Sequence, residues 1–196
     1  MEEGPEPQEL FEQVEHQHHE AEEHEEAAGK RRFATRSAIT ASVLAVLAAL
    51  GSLLSGHSAN EAILKQAEAS DKWSYYQAKS TKSHIFEGNR LVVLAIANEE
   101  AKSTSPNVVK ALKDFDDKIV KYNQEKDDIQ KEAQATQNLS VKEFDQHQKY
   151  SFGVACFQIG IVLASVAILV TGSWLYFGSI GAGVIGIIFL IYGMLG

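Results

Sequence analysis

Four histidines, His16, His18, His19 and His24, lie among glutamates in the first 28 residues. Imidazole beside carboxylate is a donor set that can bind a transition metal. On a helix His16 shares a face with His19 (i, i+3), and Glu15 shares one with His19 (i, i+4). A zinc-protease reading fails, because His19-Glu20 is followed by His24 at i+5 and that chemistry needs i+4. Few apolar residues accompany them, so this stretch is expected to be a disordered or loosely helical acidic tail, with the four histidines as its metal candidates. Other reactive types are scattered. Cys156 is the only cysteine, which leaves neither an intramolecular disulfide nor a cysteine zinc site. His57 and His147 make two ligands where a zinc site usually needs more. Asp116-Asp117 and Asp127-Asp128 read as solvated faces. Gly29-Lys30 lacks the upstream glycine of a phosphate loop, and nothing has the spacing of a nucleophile elbow or triad. The expectation is a chain that is not an enzyme and holds no cofactor.

The elements that carry these residues are dominated by membrane segments. Residues 151–196 contain no Asp, Glu, Lys, Arg or His. One helical crossing needs about 20 apolar residues, so this block holds two. It divides at Thr171-Gly172-Ser173-Trp174, giving expected spans at 151–170 and 175–195. A third uncharged stretch, 37–56, lies upstream, too far into the chain for a cleaved secretory signal. Small residues repeat on two of these spans: Ala41, Ala45 and Ala49 on the first, and Gly178, Ala182 and Gly186 on the last. Such stripes let helix backbones approach in lipid, within one chain or between copies. The polar residues of the second span are Gln158, Ser165 and Thr171. Gln158 is expected to make an interhelical hydrogen bond, with a pore lining as the alternative. The spans carry no carboxylate or basic group, which argues against a pump or ion-coupled carrier.

Charge is uneven. Residues 1–36 carry 11 acids and 4 bases, whereas residues 57–150 carry 15 acids and 14 bases. Neither balance leaves the basic face that nucleic acid requires. Lys30, Arg31, Arg32 and Arg36 abut the first span and predict a cytoplasmic N-terminus. Residues 57–150 and the C-terminus then lie outside the cytoplasm, in the periplasm of a bacterium.

Residues 57–150 must leave the membrane and return. Their midpoint carries a turn signal at 103–107, where Ser105 as N-cap and Pro106 in the first position mark a helix start. Two arms of about 45 residues, about 65 Å long if fully helical, then form an antiparallel coiled-coil hairpin. In the second arm Val108, Leu112, Phe115, Ile119, Tyr122, Ile129, Ala133 and Thr136 follow heptad steps, with Lys126 in the one gap. A break is expected at Asn138, with Ser140-Val141-Lys142-Glu143 capping a fresh helix. In the first arm Ala62, Ala69, Trp73, Tyr76, Ser80 and Ser83 offer a seam, and Gly88-Asn89 is expected to interrupt it. Trp73, Tyr75 and Tyr76 form an aromatic patch suited to core or partner-helix contact.

The stretch from Gln66 to Ser80, with Gln66-Ala67 followed by Asp71, Trp73, Tyr75-Tyr76 and Gln77-Ala78-Lys79, resembles the bacterial membrane family called domain of unknown function 4337 (DUF4337). The resemblance extends over the layout beyond the acidic tail. It implies a multi-pass bacterial inner-membrane protein and implies no activity, cofactor or catalytic residue.

The expected fold class is therefore all-α: an integral membrane protein with three transmembrane helices and a hairpin between the first two. The expected partners are the lipid bilayer, further copies of the chain and a protein bound through the hairpin. The expected role is a self-associating scaffold. A channel-like or transport-accessory oligomer and a metal-binding tail are the alternatives. A reporter fused at Gly196 is expected to be active outside the cytoplasm; activity confined to the cytoplasm would invert the topology.

Overall fold

The computed structural model describes residues 7–99 and 105–195, with side chains from 22 to 98 and from 105 to 195. Three helices account for nearly all of them: α1 (Pro7–Glu99), α2 (Pro106–Val170) and α3 (Ser173–Leu195). There is no strand among the described residues. Each helix contains a stretch long and apolar enough to cross a membrane. Helices suit that environment because they satisfy their own backbone groups where water is absent.

Several expected interruptions do not occur. The acidic segment, expected to be disordered or loosely helical, takes the helical alternative from Pro7, since Glu, Gln and Ala are good helix formers and proline is tolerated in the first turn. Gly88-Asn89 leaves α1 unbroken. A helical glycine costs about 1 kcal/mol relative to alanine, and the turns on either side are pinned by side-chain contacts. Phe86 stacks on Tyr122 at 5.7 Å and Arg90 pairs with Asp116 at 2.6 Å. The break at Asn138 is absent too. Ser140 does not cap a new helix; its hydroxyl donates to the Ala62 carbonyl at 2.8 Å. Ala133, Thr136 and Ser140 keep one buried face running through the site of the expected break.

Residues 100–104, which hold the first two residues of the expected turn at 103–107, lie outside the described residues. At its end α2 starts as expected. Pro106 is the first helical residue, and the Ser105 carbonyl accepts the first bond, from the Val109 amide, at 3.0 Å.

The chain divides into two compact units, Met1–Ser55 with Gln148–Gly196, and Gly56–His147. In the first unit the core is Leu44, Ala48 and Phe157, with Leu47, Ile161 and Leu190 packed on it. Leu44 reaches both neighbouring helices where they lack a side chain. A Cβ at Gly160 would stand 2.8 Å from Leu44, and one at Gly183 would stand 2.7 Å from it. Phe157, fully buried, occupies the equivalent gap at Gly186. Ser55 and Ser151 share a hydrogen bond of 2.8 Å between α1 and α2.

The α2–α3 link is short. The Gly172 amide bonds back to the Ala167 carbonyl at 3.3 Å, and the residue between the helices that turns left-handed is Thr171, at φ 50°. A β-branched residue in that region is strained by on the order of 1–3 kcal/mol. The Gly172 carbonyl then accepts from Leu175 at 3.2 Å, and α3 begins at Ser173, just ahead of the span expected at 175–195.

Gly186→Val is expected to destabilise the protein by about 1–3 kcal/mol, the range for overpacking a close-packed site. An added Cβ would meet the Phe157 ring at 2.6 Å, and that ring has no room to swing away. Gly181→Ala, where nothing lies within 4 Å, is the control. Thermal unfolding in detergent reads both.

Candidate functional site

The distinctive chemistry of the second unit lies along two rows of side chains. On α1, Ala62, Lys65, Ala69, Lys72, Tyr76, Lys79, Ser83, Phe86, Arg90, Val93 and Ala97 recur at alternating steps of three and four. Each is buried or half-buried. On α2 the expected row from Val108 to Thr136 is likewise withdrawn from solvent, Lys126 included, and it runs on through Ser140, Glu143 and His147.

The contacts between the rows follow one order. Ala62 meets Ser140, Lys72 meets Glu132, Lys79 meets Glu125, Ser83 meets Asn123 and Arg90 meets Asp116. As the number rises along α1 it falls along α2. At one end small residues permit close approach, since a serine hydroxyl reaches a backbone carbonyl on the other helix. At the other end aromatic rings fill the space, with Phe86 between Phe115 at 6.1 Å and Tyr122 at 5.7 Å.

Lys79 is the focus of the row. Its ammonium pairs with Glu125 and stands 5.0 Å from the centre of the Tyr75 ring and 5.3 Å from that of Tyr122. Its side chain is 13% exposed, and that of Glu125 is 33%. Hydrogen bonding to Glu125, then to Tyr75, raises the Lys79 pKa above its ordinary 10.5. The hydrogen bond from Lys79 lowers the Glu125 pKa below its ordinary 4.5. An ammonium held against aromatic faces is stabilised by their quadrupole and stays charged. The arrangement holds a charge between rings of both helices.

The aromatic patch divides between inside and outside. Trp73 donates its indole N–H to Gln137 at 3.3 Å and meets Tyr76 edge-on at 5.6 Å. Tyr76 lies 6.0 Å below Lys126, whereas Tyr75 is exposed. Trp73 and Tyr76 are thus engaged within the chain.

Among the metal candidates, the side chains of His16, His18 and His19 lie outside the described ones, and His24 is exposed. No group of three potential ligands capable of holding a metal occurs among the described residues. His84 pairs with Glu87 at 3.0 Å, and His147 meets the Phe144 ring at 5.9 Å.

In the membrane stripes Ala41 is half-buried while Ala45 and Ala49 are exposed; Gly178 is exposed, Ala182 half-buried and Gly186 buried. Within the chain the buried faces are not the same as these stripes. On α1 they use Ser37, Leu44, Ala48 and Gly51, and on α3 Leu175, Ser179, Gly183, Gly186 and Gly193. The hydroxyls of Ser37 and Ser179 are buried without a hydrogen-bond partner. Gln158, expected to bond between helices, is exposed and makes no hydrogen bond among the described residues. Its neighbours Phe157 and Gly160 are the ones that meet α1 and α3.

Sequence reasoning missed Lys72, Lys79 and Arg90 as row residues because it sought apolar types. The sequence alone carried no signal for them: the steps of three and four from Ala62 to Ala97 are a pattern of burial, not of residue type.

The family described as "Domain of unknown function (DUF4337)" matches residues 33–196. No curated protein and no solved structure matches the chain.

The Lys79–Glu125 pair carries a pH dependence. Glu125 has a lowered folded pKa, so its contribution is complete above its ordinary 4.5 and is lost as pH falls through the lowered value. Lys79 has a raised folded pKa, so its contribution is complete below 10.5 and is lost as pH rises through the raised value. Thermal unfolding followed between pH 2 and pH 7 is expected to show a smaller acid loss in Glu125→Gln than in the natural chain. Equal acid losses would mean that the pair adds no stability.

Proposed function

The chain belongs to the DUF4337 family, whose description assigns no activity, and from that premise we propose that it is a structural membrane protein that self-associates. It is a multi-pass protein of a bacterial inner membrane. Its second unit is an antiparallel coiled-coil hairpin that serves as a scaffold rather than as an enzyme. The heptad spacing of both rows and the descending order of their contacts support the hairpin. The cluster Lys30, Arg31, Arg32 and Arg36 beside the first span supports a cytoplasmic N-terminus, with the hairpin and C-terminus in the periplasm.

One observation carries the self-association. Gln158 lies in the uncharged part of α2, exposed and without a hydrogen bond among the described residues. An amide left unpaired in hydrocarbon costs about 2–7 kcal/mol. A carboxamide both donates and accepts, so Gln158 of a second copy is its natural complement across a two-fold axis. Nearby Ser165 has no such need, because its hydroxyl donates to the Ile161 carbonyl at 2.9 Å. The hairpin does not oppose association, since residues 57–150 carry nearly equal numbers of acids and bases. Its exposed Ile85, Leu91, Val92 and Ile96 supply further apolar surface.

A channel-like oligomer is the second reading. Gln158 and Ser165 are one heptad apart and both exposed, so a ring of copies would turn two polar residues toward its axis. Conductance in planar bilayers separates a pore from a scaffold.

The complex, extracted gently from its own membrane, is expected to have a native mass that is a discrete multiple of 21.5 kDa. Gln158→Leu is expected to weaken association about tenfold, in line with interhelical amide bonds of about 1–2 kcal/mol. A single-copy mass for the natural chain overturns the proposal.

A further inference from the structure

The outward face of α1 combines a basic cup with an apolar trough, both within the first unit. The cup is formed by Arg31, Arg32 and Arg36 with Ala28 and Thr35. The trough starts at the same Thr35 and runs along Ile39, Val43 and Val46.

Helix geometry explains why the arginines are available. Lys30 has Glu26 at i−4 and pairs with it at 2.7 Å. Arg31 and Arg32 have Ala27, Ala28 and Gly29 at i−3 and i−4, and Arg36 has Arg32 and Phe33 there. None of the three has a carboxylate within helical reach, and none makes an ion pair among the described residues. The nearest unpaired-in-register acid, Glu25, is six residues before Arg31, about 9 Å along the axis.

The trough is apolar in effect as well as in composition. Its two hydroxyls are turned back onto the helix: Thr35 donates to the Arg31 carbonyl at 2.9 Å and Ser42 to the Ala38 carbonyl at 2.9 Å. Ile39, Val43 and Val46 remain 60%, 53% and 61% exposed, which leaves a continuous apolar strip. From Arg36 to Val46 the helix rises about 15 Å. That is half of the roughly 30 Å hydrocarbon core, the depth of one leaflet.

We infer that this face holds an anionic phospholipid, with its phosphate among Arg31, Arg32 and Arg36 and an acyl chain along Ile39, Val43 and Val46. Guanidinium groups suit the site because they grip phosphate oxygens in pairs and are held charged at any physiological pH. A free phosphate would use the cup alone; the lipid uses the trough as well. The site does not depend on self-association, because a single helix supplies every residue.

Native mass spectrometry of the full chain in a neutral detergent tests this, with phosphatidylglycerol and phosphatidylcholine of identical acyl chains in equal amounts. Retained phosphatidylglycerol is expected to exceed phosphatidylcholine at least about fivefold, the worth of one basic residue near an anionic surface. The preference is expected to shrink as ammonium acetate rises. The triple variant Arg31→Gln, Arg32→Gln, Arg36→Gln is expected to lose it. A variant with Lys110→Gln, Lys113→Gln and Lys131→Gln, which removes the same charge from exposed positions of α2, is expected to keep it. Circular dichroism confirms that each variant is helical; Arg32→Gln alone, with an expected loss of about fivefold, serves if the triple variant does not fold. Equal retention of the two lipids by the natural chain overturns the inference, as does a preference that survives in the arginine variants. Displacement of phosphatidylglycerol by an equal concentration of inorganic phosphate would show that the cup acts without the trough, and the lipid assignment would fall.

Discussion

Apolar side chains gain little by hiding from lipid, which is as apolar as they are, so the helices of the membrane unit must hold together by contact. Leu44 shows how. It stands where α2 has Gly160 and α3 has Gly183, and it touches backbone on both sides. Phe157 repeats the device at Gly186. Dispersion between close-packed atoms is weak pair by pair and large in sum, and removing Cβ atoms brings many pairs within range. The orphaned hydroxyls of Ser37 and Ser179 fit the same logic, because a small side chain is needed at those positions whatever its polarity.

The second unit solves a different problem. Its rows contain Lys65, Lys72, Lys79 and Arg90 on α1, where a simple coiled coil would place leucine. Polar residues at such positions favour one register over its neighbours. Lys79 between Tyr75 and Tyr122, facing Glu125, has one correct partner set; a one-heptad slip would strand it. Stability is supplied by the small residues at one end and the Phe86, Phe115 and Tyr122 cluster at the other.

Gln158 and the arginines of α1 mark the two faces of the membrane unit that the chain leaves open. Each carries polar capacity that its own helix cannot use. Gln158 lies in a stretch apolar enough to cross a membrane, where an unpaired amide is costly. For the arginines no carboxylate lies within helical reach, and an apolar strip runs on from them along the same helix. The two openings call for different chemistry, and both follow from what lies three and four residues away on the helix.

The sequence by itself determined the all-helical class and the three stretches apolar enough to cross a membrane. Uncharged stretches at 37–56 and 151–196 were legible because hydrocarbon tolerates few charges. The start of α2 at Pro106 was legible because cap chemistry is local. The row from Val108 to Thr136 was legible because its apolar residues keep heptad spacing. Tertiary structure alone decided the rest. Whether Gly88 or Asn138 breaks a helix depends on packing of the flanking turns, which local propensity does not contain. Which stripe is inside, Gly178-Ala182-Gly186 or Ser179-Gly183-Gly186, depends on a rotation of one helix by about 100° per residue, and small residues on both faces leave composition silent. That Lys79 is inside at all depends on a partner 46 residues away, because a lysine belongs in a seam only when rings and a carboxylate are already waiting for it.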